Sequence, residues 1–328
     1  MDPVRAIADA VLYEGYVLWP YRRSALKNRK RWTLAGFYPR AYSETSGTND
    51  PWFMQTQCLL LGNAGDALTV RVRFLQVVWR QALRRVRGDL EPVDELVSGG
   101  ERHLSWEEAA EREIVLGPFG LYELELPKRA AVEIPAGSVI EELPEGALMR
   151  TWRSLSGTLE ASAEHLGGRV YRLTARLANE TSWPGGTREE VLGRTFVSAH
   201  AVLEADGASF VSMTDPPAEL REEARGCENV KTWPVLVGEK GRRDTVLSSP
   251  IILYDHPEIA PESPGDLFDG TEIDRLLIMN VLSLTDEEKE EVRATDPRVR
   301  EILERCESLS PEELMRLSGA IREFRMLR

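Results

Sequence analysis

Alternation of apolar and polar residues is the feature of this sequence that most constrains its fold. In the segment ALTVRVRFLQVVW, every second residue from Leu68 to Phe74 is apolar, and the residues between them are Thr69, Arg71 and Arg73. A period of two residues is typical of a β-strand with one face in the core and the other in solvent. We therefore expect a half-exposed strand here, with both arginines on its exposed face.

Further alternating runs are separated by residues that tolerate a positive φ angle. The segment LEASAEHLGGRVYRLTARL alternates on both sides of Gly167 and Gly168, and AVLEADGASFVSM does so around Asp206 and Gly207. Both patterns predict β-hairpins, and two more strands are expected at residues 231–237 and 245–254. Several antiparallel strands at this spacing predict an α+β fold whose antiparallel, β-rich core is a sandwich or a strongly bent sheet.

Helices are expected at the two ends of the chain. From Val4 to Leu12, apolar residues recur at the spacing of one helical face, which predicts a short amphipathic N-terminal helix. Near the C-terminus, three sites combine a capping side chain with an acid or a proline in the first turn. These sites are Thr285 with Glu288, Asp296 before Pro297, and Ser310 before Pro311 with Glu313. They predict three short helices over residues 285–326, preceded by another at 272–282.

These elements suggest a division of the chain into three regions. Residues 88–103, GDLEPVDELVSGGERH, are rich in charged and turn-forming residues, and we interpret them as a linker or a long loop. We accordingly expect an N-terminal α/β region at residues 1–103 packed on the core. The β-rich core itself would span residues 104–270, and a helical appendage would span 271–328.

Charge and cysteine content bear on the partners and the compartment. The 328 residues include 54 acidic and 41 basic side chains, a net charge of −13, which disfavours general attraction to nucleic acid or anionic membranes. The N-terminus lacks the pattern of a signal peptide, and no apolar stretch approaches the roughly 18 residues of a membrane helix. Cys58, Cys227 and Cys306 show no CxxC spacing. We therefore expect a cytoplasmic protein without membrane insertion.

One basic segment opposes this acidic trend. Residues 21–32, YRRSALKNRKRW, hold six cations between Tyr21 and Trp32. The cations are Arg22, Arg23, Lys27, Arg29, Lys30 and Arg31. Cations flanked by aromatic rings could bind the phosphates and bases of a nucleic acid. Because the chain is acidic as a whole, a solvated loop whose cations pair with carboxylates is the favoured interpretation.

Residues 248–270, SSPIILYDHPEIAPESPGDLFDG, contain the most suggestive side chains for a functional site. A catalytic triad of Ser248 or Ser249 with His256 and Asp255 conflicts with strand geometry, because neighbours on an extended chain point to opposite faces. The chain also lacks the GxSxG, GxxxxGK[ST] and GxGxxG motifs of hydrolases, nucleotide-binding proteins and dehydrogenases.

A metal site is not indicated by the spacing of possible ligands. A zinc site would have to gather distant residues, for example His256, Cys227 and a carboxylate. The acidic residues that follow His256 do not match the EF-hand pattern, and Thr271 or Asp269 with acids in the next turn is better explained as a helix cap. We expect no transition metal and no cofactor. The acidic set is Glu258, Glu262, Asp266, Asp269, Glu272 and Asp274.

A preformed docking loop is the favoured interpretation of residues 248–270. Pro257, Pro261 and Pro264 restrict φ and bias the residues before them, including His256, towards extended conformations. Such a loop loses less entropy when it binds. Asp255 would accept backbone N–H bonds at the end of the strand while His256 points to the other side. The candidate partner-binding residues are Asp255, His256, Pro257, Glu258, Glu262, Asp266 and Asp269.

Two long stretches carry a family resemblance. LYEGYVLWPYRRSALKNRKRWTLAGFYP, and LSSPIILYDHPEIAPESPGDLFDGTEIDRLL followed by LTDEEKEEVRATDPRVREIL, resemble an uncharacterised family encoded in actinobacterial gene clusters for high-affinity nickel-iron hydrogenases. The resemblance implies an accessory role, with hydrogenase structural or maturation subunits as partners. The family offers no established catalytic residues that could be assigned to positions of this chain.

Three classes of role remain open within that context. The first is a non-catalytic assembly or maturation factor that acts through protein–protein docking, which fits the lack of catalytic motifs. The second is an enzyme with a pocket that includes Asp255, His256 and Cys227. The third, a nucleic-acid binder that uses residues 21–32, is disfavoured by the net charge.

Overall fold

The computed structural model describes residues 3–14, 36–257 and 284–294, together with residue 300 and the pairs 303–304 and 307–308. Described residues up to 257 belong to one compact unit, and those from 284 onward belong to a second. The first unit consists mainly of antiparallel strands with a few short helices. This confirms the predicted α+β fold with a β-rich, sandwich-like core.

Within the described residues, the two main sheets have nine and five strands, and we call the nine-stranded one sheet A. Its strands are β1 (Gly36–Phe37), β3 (Ala67–Val86), β4 (Asp89–Val93), β7 (Trp106–Gly120), β9 (Gly137–Leu143), β10 (Gly146–Trp152), β13 (Phe196–Asp206), β15 (Trp233–Leu236) and β16 (Thr245–Ser249). The long strand β3 is the spine of the sheet: one of its edges pairs with β13 and then β10, and the other pairs with β7 and then β4. The order β15-β16-β13-β3-β10-β9 places β15 and β9 at its ends.

The smaller sheet, sheet B, has five strands in the order β14-β2-β12-β11-β8. They are β2 (Phe53–Leu61), β8 (Lys128–Ile134), β11 (Leu155–Gly167), β12 (Val170–Asn179) and β14 (Ser209–Phe210). β11 and β12 form the hairpin predicted at Gly167 and Gly168, which have φ angles of 122° and 58°. Only glycine adopts such angles without steric cost, so this turn depends on both residues.

The main core lies between the two sheets. The apolar residues that alternate along β3, from Leu68 to Phe74, are buried with Leu159 and Leu173 of sheet B. The rings of Phe74 and Phe196 lie 4.6 Å apart across neighbouring strands. The predicted strand is therefore confirmed on its apolar side.

Five α-helices have both ends within the described residues. They are α1 (Pro3–Glu14), α2 (Arg40–Thr45), α3 (Arg188–Leu192), α4 (Arg221–Arg225) and α5 (Asp286–Arg293). α1 confirms the predicted N-terminal helix, because Ile7, Ala8, Val11 and Leu12 are buried where it packs on β13 and β3. No helix of the described residues is long and apolar enough to cross a bilayer.

The predicted C-terminal helices can be compared with the structure at one start site. Before α5, the Thr285 N–H donates to Glu288 Oε2 (2.8 Å) and the Glu288 N–H donates to Thr285 Oγ1 (3.3 Å). This reciprocal pair is the predicted capping box. Residues 300, 303, 304, 307 and 308 are helical. The predicted helix at 272–282 and the start sites at Asp296 and Ser310 lie outside the described residues.

The interpretation of residues 88–103 as a linker or loop is wrong. They form β4 and most of a two-stranded ribbon, β5 (Glu95–Ser98) and β6 (Glu101–Leu104). Gly99 and Gly100, with φ angles of 59° and 87°, make the turn, and Arg102 binds both carboxylate oxygens of Glu95 across it. The expected boundary at residue 103 thus falls inside β6, and strands on both sides of it share sheets A and B.

The prediction of a second hairpin, around Asp206 and Gly207, is also wrong. β13 pairs with β3 and β16 in sheet A, whereas β14 pairs with β2 in sheet B. Gly207, with a φ of 85°, therefore carries the chain from one sheet to the other. A glycine signal predicts a reversal of direction, but it does not say which strand the chain joins next.

The strands expected at 231–237 and 245–254 both form, but the second ends at Ser249.

Candidate functional site

The segment that follows β16, residues 250–257, holds the described residues of the predicted docking loop, Asp255, His256 and Pro257. We call it the anchored segment. Its Asp255 uses both carboxylate oxygens: Oδ1 accepts the Leu236 backbone N–H at 2.9 Å, and Oδ2 accepts the hydroxyls of Ser212 (2.5 Å) and Thr214 (2.9 Å). Asp255 therefore accepts a backbone N–H as predicted, and it ties the segment to the end of β15.

His256 is held at the same strand end by its backbone and its ring. Its N–H donates to the Leu236 carbonyl at 2.7 Å, and Nδ1 lies 3.2 Å from the Gly238 carbonyl oxygen. Because a carbonyl oxygen can only accept, Nδ1 carries the proton. The expectation of an extended His256 is wrong, since its φ is 53°. Two bonds to the chain around β15 outweigh the local bias exerted by Pro257.

Asp255 and His256 have separate hydrogen-bond partners. No hydrogen bond joins Asp255 to His256 in the described part of the chain, so the carboxylate does not orient the imidazole. Ser248 Oγ is buried between the hydroxyls of Thr232 (2.7 Å) and Thr56 (2.8 Å), and Ser249 Oγ donates to the Ile251 carbonyl (2.9 Å). Both serine hydroxyls thus have partners other than His256 and Asp255.

Apolar side chains of the anchored segment point to solvent. Tyr254 is 87% exposed and Ile252 is 73% exposed, while Trp233 at the start of β15 is 42% exposed. Trp233 pairs with Ser249, the last residue of β16, so all three belong to neighbouring stretches of chain. The segment therefore presents large apolar groups from a backbone that Asp255 and His256 hold in place.

Neither of the two described cysteines, Cys58 and Cys227, contributes a reactive thiol to this segment. Cys227 Sγ donates to the Glu223 carbonyl at 3.6 Å, and burial raises its pKa despite the opposing effect of Arg172. Burial also raises the pKa of Cys58 far above its usual range, with a smaller effect of Cys227. No hydrogen bond connects Cys227 with Asp255 or His256 among the described residues. Within that part of the chain, no three His, Cys, Asp or Glu side chains converge as metal ligands.

The other predicted site residues lie outside the described residues. They are Glu258, Glu262, Asp266 and Asp269 of the acidic set, Cys306, and the cations Arg22, Arg23, Lys27, Arg29, Lys30 and Arg31.

A buried polar cluster beneath α1 was missed by sequence reasoning. Arg73, expected on an exposed face, is only 4% exposed, and its Nη2 lies 2.6 Å from Asp9 of α1 and 3.1 Å from Glu111 of β7. On the adjacent strand, His200 is directly opposite Arg73 and is fully buried. One residue of the sequence could have revealed this cluster. Asp9 is a carboxylate among the apolar positions of α1, and a carboxylate on the packed side of a helix is expected to pair with a cation beneath it.

The backbone of this cluster is irregular. β13 bulges between Val197 and His200, and Ser198 in the bulge has a φ of 51°, which is unfavourable for any residue with a Cβ atom. His200 Nδ1 lies 3.3 Å from the Ser198 carbonyl, so Nδ1 carries the proton and Nε2 is an acceptor. Ser198 Oγ, His200 Nε2 and Arg73 Nη1 find no hydrogen-bond partner among the described residues.

The electrostatics of the cluster keep His200 neutral. Burial, assisted by the positive charge of Arg73, lowers the pKa of His200 to about 3, and the hydrogen bond to Ser198 opposes this only weakly. A neutral imidazole could serve as a general base, but it makes no hydrogen bond to the Ser198 hydroxyl. Catalysis at this cluster would also require a path for substrate to side chains that are almost fully buried.

Arg188 organises a third polar group, which joins α3 to the region of α2. Its guanidinium donates to Asp50 (2.7 Å) and to the hydroxyls of Tyr38 (3.1 Å) and Tyr42 (3.3 Å). Burial acts to raise the pKa of Asp50, but the hydrogen bonds from Arg188, Thr48 and Tyr42 and the positive charge of Arg188 together outweigh it and lower that pKa. These contacts tie the first residue of α3 to Tyr38, Tyr42 and Asp50, which gives these four side chains a structural role.

No protein-family model matches the chain, and no curated protein matches it significantly.

Proposed function

We propose that this chain is a non-catalytic, cytoplasmic accessory factor that assists the assembly or maturation of an actinobacterial nickel-iron hydrogenase by docking onto one of its structural or maturation subunits. The observation that carries the proposal is the anchored segment. It exposes Ile252 and Tyr254, while Asp255 and His256 are bonded to the chain around β15.

An anchored backbone with exposed apolar side chains suits protein recognition. Aromatic residues dominate the energetics of many interfaces, and a preformed segment loses less conformational entropy on binding than a flexible one. Tyr254, at 87% exposure, offers a ring that loses little rotamer freedom when it is buried. The hydrogen bonds of Asp255 fix the backbone next to this ring. Substitution of Asp255 would therefore weaken docking by displacing the Tyr254 ring, and not by removing a group that contacts the partner.

The enzyme alternative receives less support. Asp255, His256 and Ser248 already have hydrogen-bond partners within the fold, and the arrangement does not join them to Cys227. The hydrogenase context itself rests on the resemblance of residues 12–39, 247–277 and 284–303, which includes the anchored segment.

Affinity purification tests the proposal. The tagged full chain would be expressed in an actinobacterium that carries the hydrogenase genes, and hydrogenase structural or maturation subunits should co-purify with it. The double variant Ile252→Ser with Tyr254→Ser should lose them. The matched control is Leu126→Ser, because Leu126 is 74% exposed but lies between β7 and β8. Recovery of nucleic acid, or of no hydrogenase subunit, would contradict the proposal.

A further inference from the structure

Strand β9 is an edge of sheet A that is open to solvent on both faces. In the described part of the chain it pairs with β10, and no second strand lies along its other edge. Residues 138–142 are all exposed, and among them Val139 and Ile140 are each 51% exposed. Because successive residues point to opposite faces, the strand presents an apolar side chain on each side. The outer edge also offers unpaired backbone N–H and C=O groups.

The usual protection of an edge strand is missing here. Natural edges carry lysine, proline or a bulge, or they are very short. β9 has seven residues, GSVIEEL, with no proline or lysine and with regular pairing to β10 throughout. Its two acids are each paired with an arginine on the strand's own side of the contact, since Glu141 binds Arg150 (2.7 Å) and Glu142 binds Arg85 (2.6 Å). The strand is therefore suited to pair with another strand.

We propose that β9 pairs antiparallel with β9 of a second copy of this chain, about a twofold axis at Ile140. In this register Ile140 faces its own counterpart, Val139 faces Glu141, and Ser138 faces Glu142. Gly137 and Leu143 pair at the two ends, so the whole strand is used. The contact is isologous and closed, which limits assembly to a dimer, and the two copies of sheet A become one continuous sheet.

Avoidance of like-charge contacts and the number of paired residues select this register. Under a twofold axis perpendicular to the sheet, two residues that lie opposite each other have side chains on the same face. The axis must therefore pass through a residue, and the neighbouring alternatives place it at Glu141 or at Val139. An axis at Glu141 would place two glutamates directly opposite each other, which is destabilising. An axis at Val139 would leave Glu142 and Leu143 unpaired. The register about Ile140 places an apolar pair at the centre and no glutamate opposite a glutamate.

Sedimentation velocity of the purified full chain measures the assembly. We expect a dimer, and we expect Ile140→Lys to yield a monomer because two ammonium groups would meet on the axis. Val97→Lys is the control: Val97 is 52% exposed on β5, so this variant should remain dimeric. Unchanged far-ultraviolet circular dichroism and thermal unfolding would show that both variants fold. A monomeric wild-type chain, or an Ile140→Lys variant as dimeric as wild type, would overturn the proposal.

Disulfide formation tests the register separately. Ile140→Cys places two thiols opposite each other, within reach of a disulfide, whereas Glu142→Cys places them several residues apart along the strands. Mild oxidation should convert most of the Ile140→Cys protein into a covalent dimer on a non-reducing gel. Glu142→Cys and the wild-type chain, which retains Cys58, Cys227 and Cys306, should stay uncrosslinked. Equal crosslinking of both variants, or none of Ile140→Cys, would contradict this register.

Discussion

Asp255 accepts the backbone N–H of Leu236 at 2.9 Å, and this bond ties the chain after β16 to the end of β15. The same carboxylate accepts two hydroxyl groups, from Ser212 and Thr214. One side chain therefore holds three parts of the chain together, directly beside the exposed Tyr254. The Asp-His pair thus has a structural task that explains why two potentially reactive residues stand next to each other.

Removal of the Asp255 carboxylate should destabilise the fold. Asp255→Ala leaves the Leu236 N–H and two hydroxyls without their acceptor, and we expect a loss of about 1–3 kcal/mol in the free energy of unfolding. Urea denaturation followed by circular dichroism measures it. Asp89→Ala is the control, because Asp89 is exposed, and it should change stability by less than about 0.5 kcal/mol. Equal stability of both variants would contradict the anchoring role.

The two partners of the Asp9–Arg73 ion pair should not contribute equally. Arg73→Ala removes a buried side chain that contacts both Asp9 and Glu111 and leaves a cavity in its place, and we expect a loss of about 2–5 kcal/mol in the free energy of unfolding. Asp9 is 34% exposed, and without it Arg73 still lies 3.1 Å from Glu111. Asp9→Ala should therefore cost about 1 kcal/mol or less. Chemical denaturation measures the loss in the free energy of unfolding for each variant. A larger loss for Asp9→Ala than for Arg73→Ala would contradict this prediction.

The neutral state of His200 predicts a loss of stability in acid. Burial and Arg73 lower its pKa from 6.5 to about 3, so between these values the unfolded chain binds a proton that the folded chain does not. Stability therefore rises with pH in this range and falls as the pH drops below 6.5. At pH 5 the loss attributable to His200 should be about 2 kcal/mol relative to pH 7.

His200→Gln isolates this contribution. The variant retains every other titrating group, so the difference between its pH dependence and that of the wild-type chain belongs to His200. Urea denaturation at pH 7 and pH 5 gives the decrease in the free energy of unfolding between these pH values. This decrease should be about 2 kcal/mol smaller for the variant than for the wild-type chain. If the two proteins lose the same stability, His200 is not held neutral in the fold.

Relief of the strained backbone at Ser198 should stabilise the protein. Ser198→Gly removes the cost of a left-handed conformation, about 1–2 kcal/mol, and also removes a buried hydroxyl without a partner. These gains exceed the added entropy of glycine in the unfolded chain, about 0.5–1 kcal/mol. We expect a net gain of about 1 kcal/mol by thermal unfolding. Ser212→Gly, in contrast, should lower stability because it removes a donor to Asp255.

Local patterns predicted those elements whose signals lie within a few residues. β3, α1, the hairpin at Gly167 and the capping box at Thr285 follow from periodicity and turn chemistry, and they form as expected. Each depends on contacts between near neighbours or on one buried face, which the order of residues records directly.

Features that depend on distant partners were not predictable in the same way. Arg73 is buried because α1, more than fifty residues earlier in the chain, supplies Asp9 and covers it. His256 has a positive φ because Leu236 and Gly238 bind it, against the bias of Pro257. The charged ribbon β5–β6 forms because an Arg–Glu pair and two glycines stabilise a hairpin that composition alone suggested was a loop.

Site-specific photocrosslinking from position 254 is the most direct measurement of the docking claim. With p-benzoylphenylalanine in place of Tyr254 in the full chain, illumination of cells that carry the hydrogenase genes should give a covalent adduct with a hydrogenase structural or maturation subunit. The same amino acid in place of Leu126, which is similarly exposed, should give none. No adduct from position 254, or the same adduct from both positions, would contradict the account.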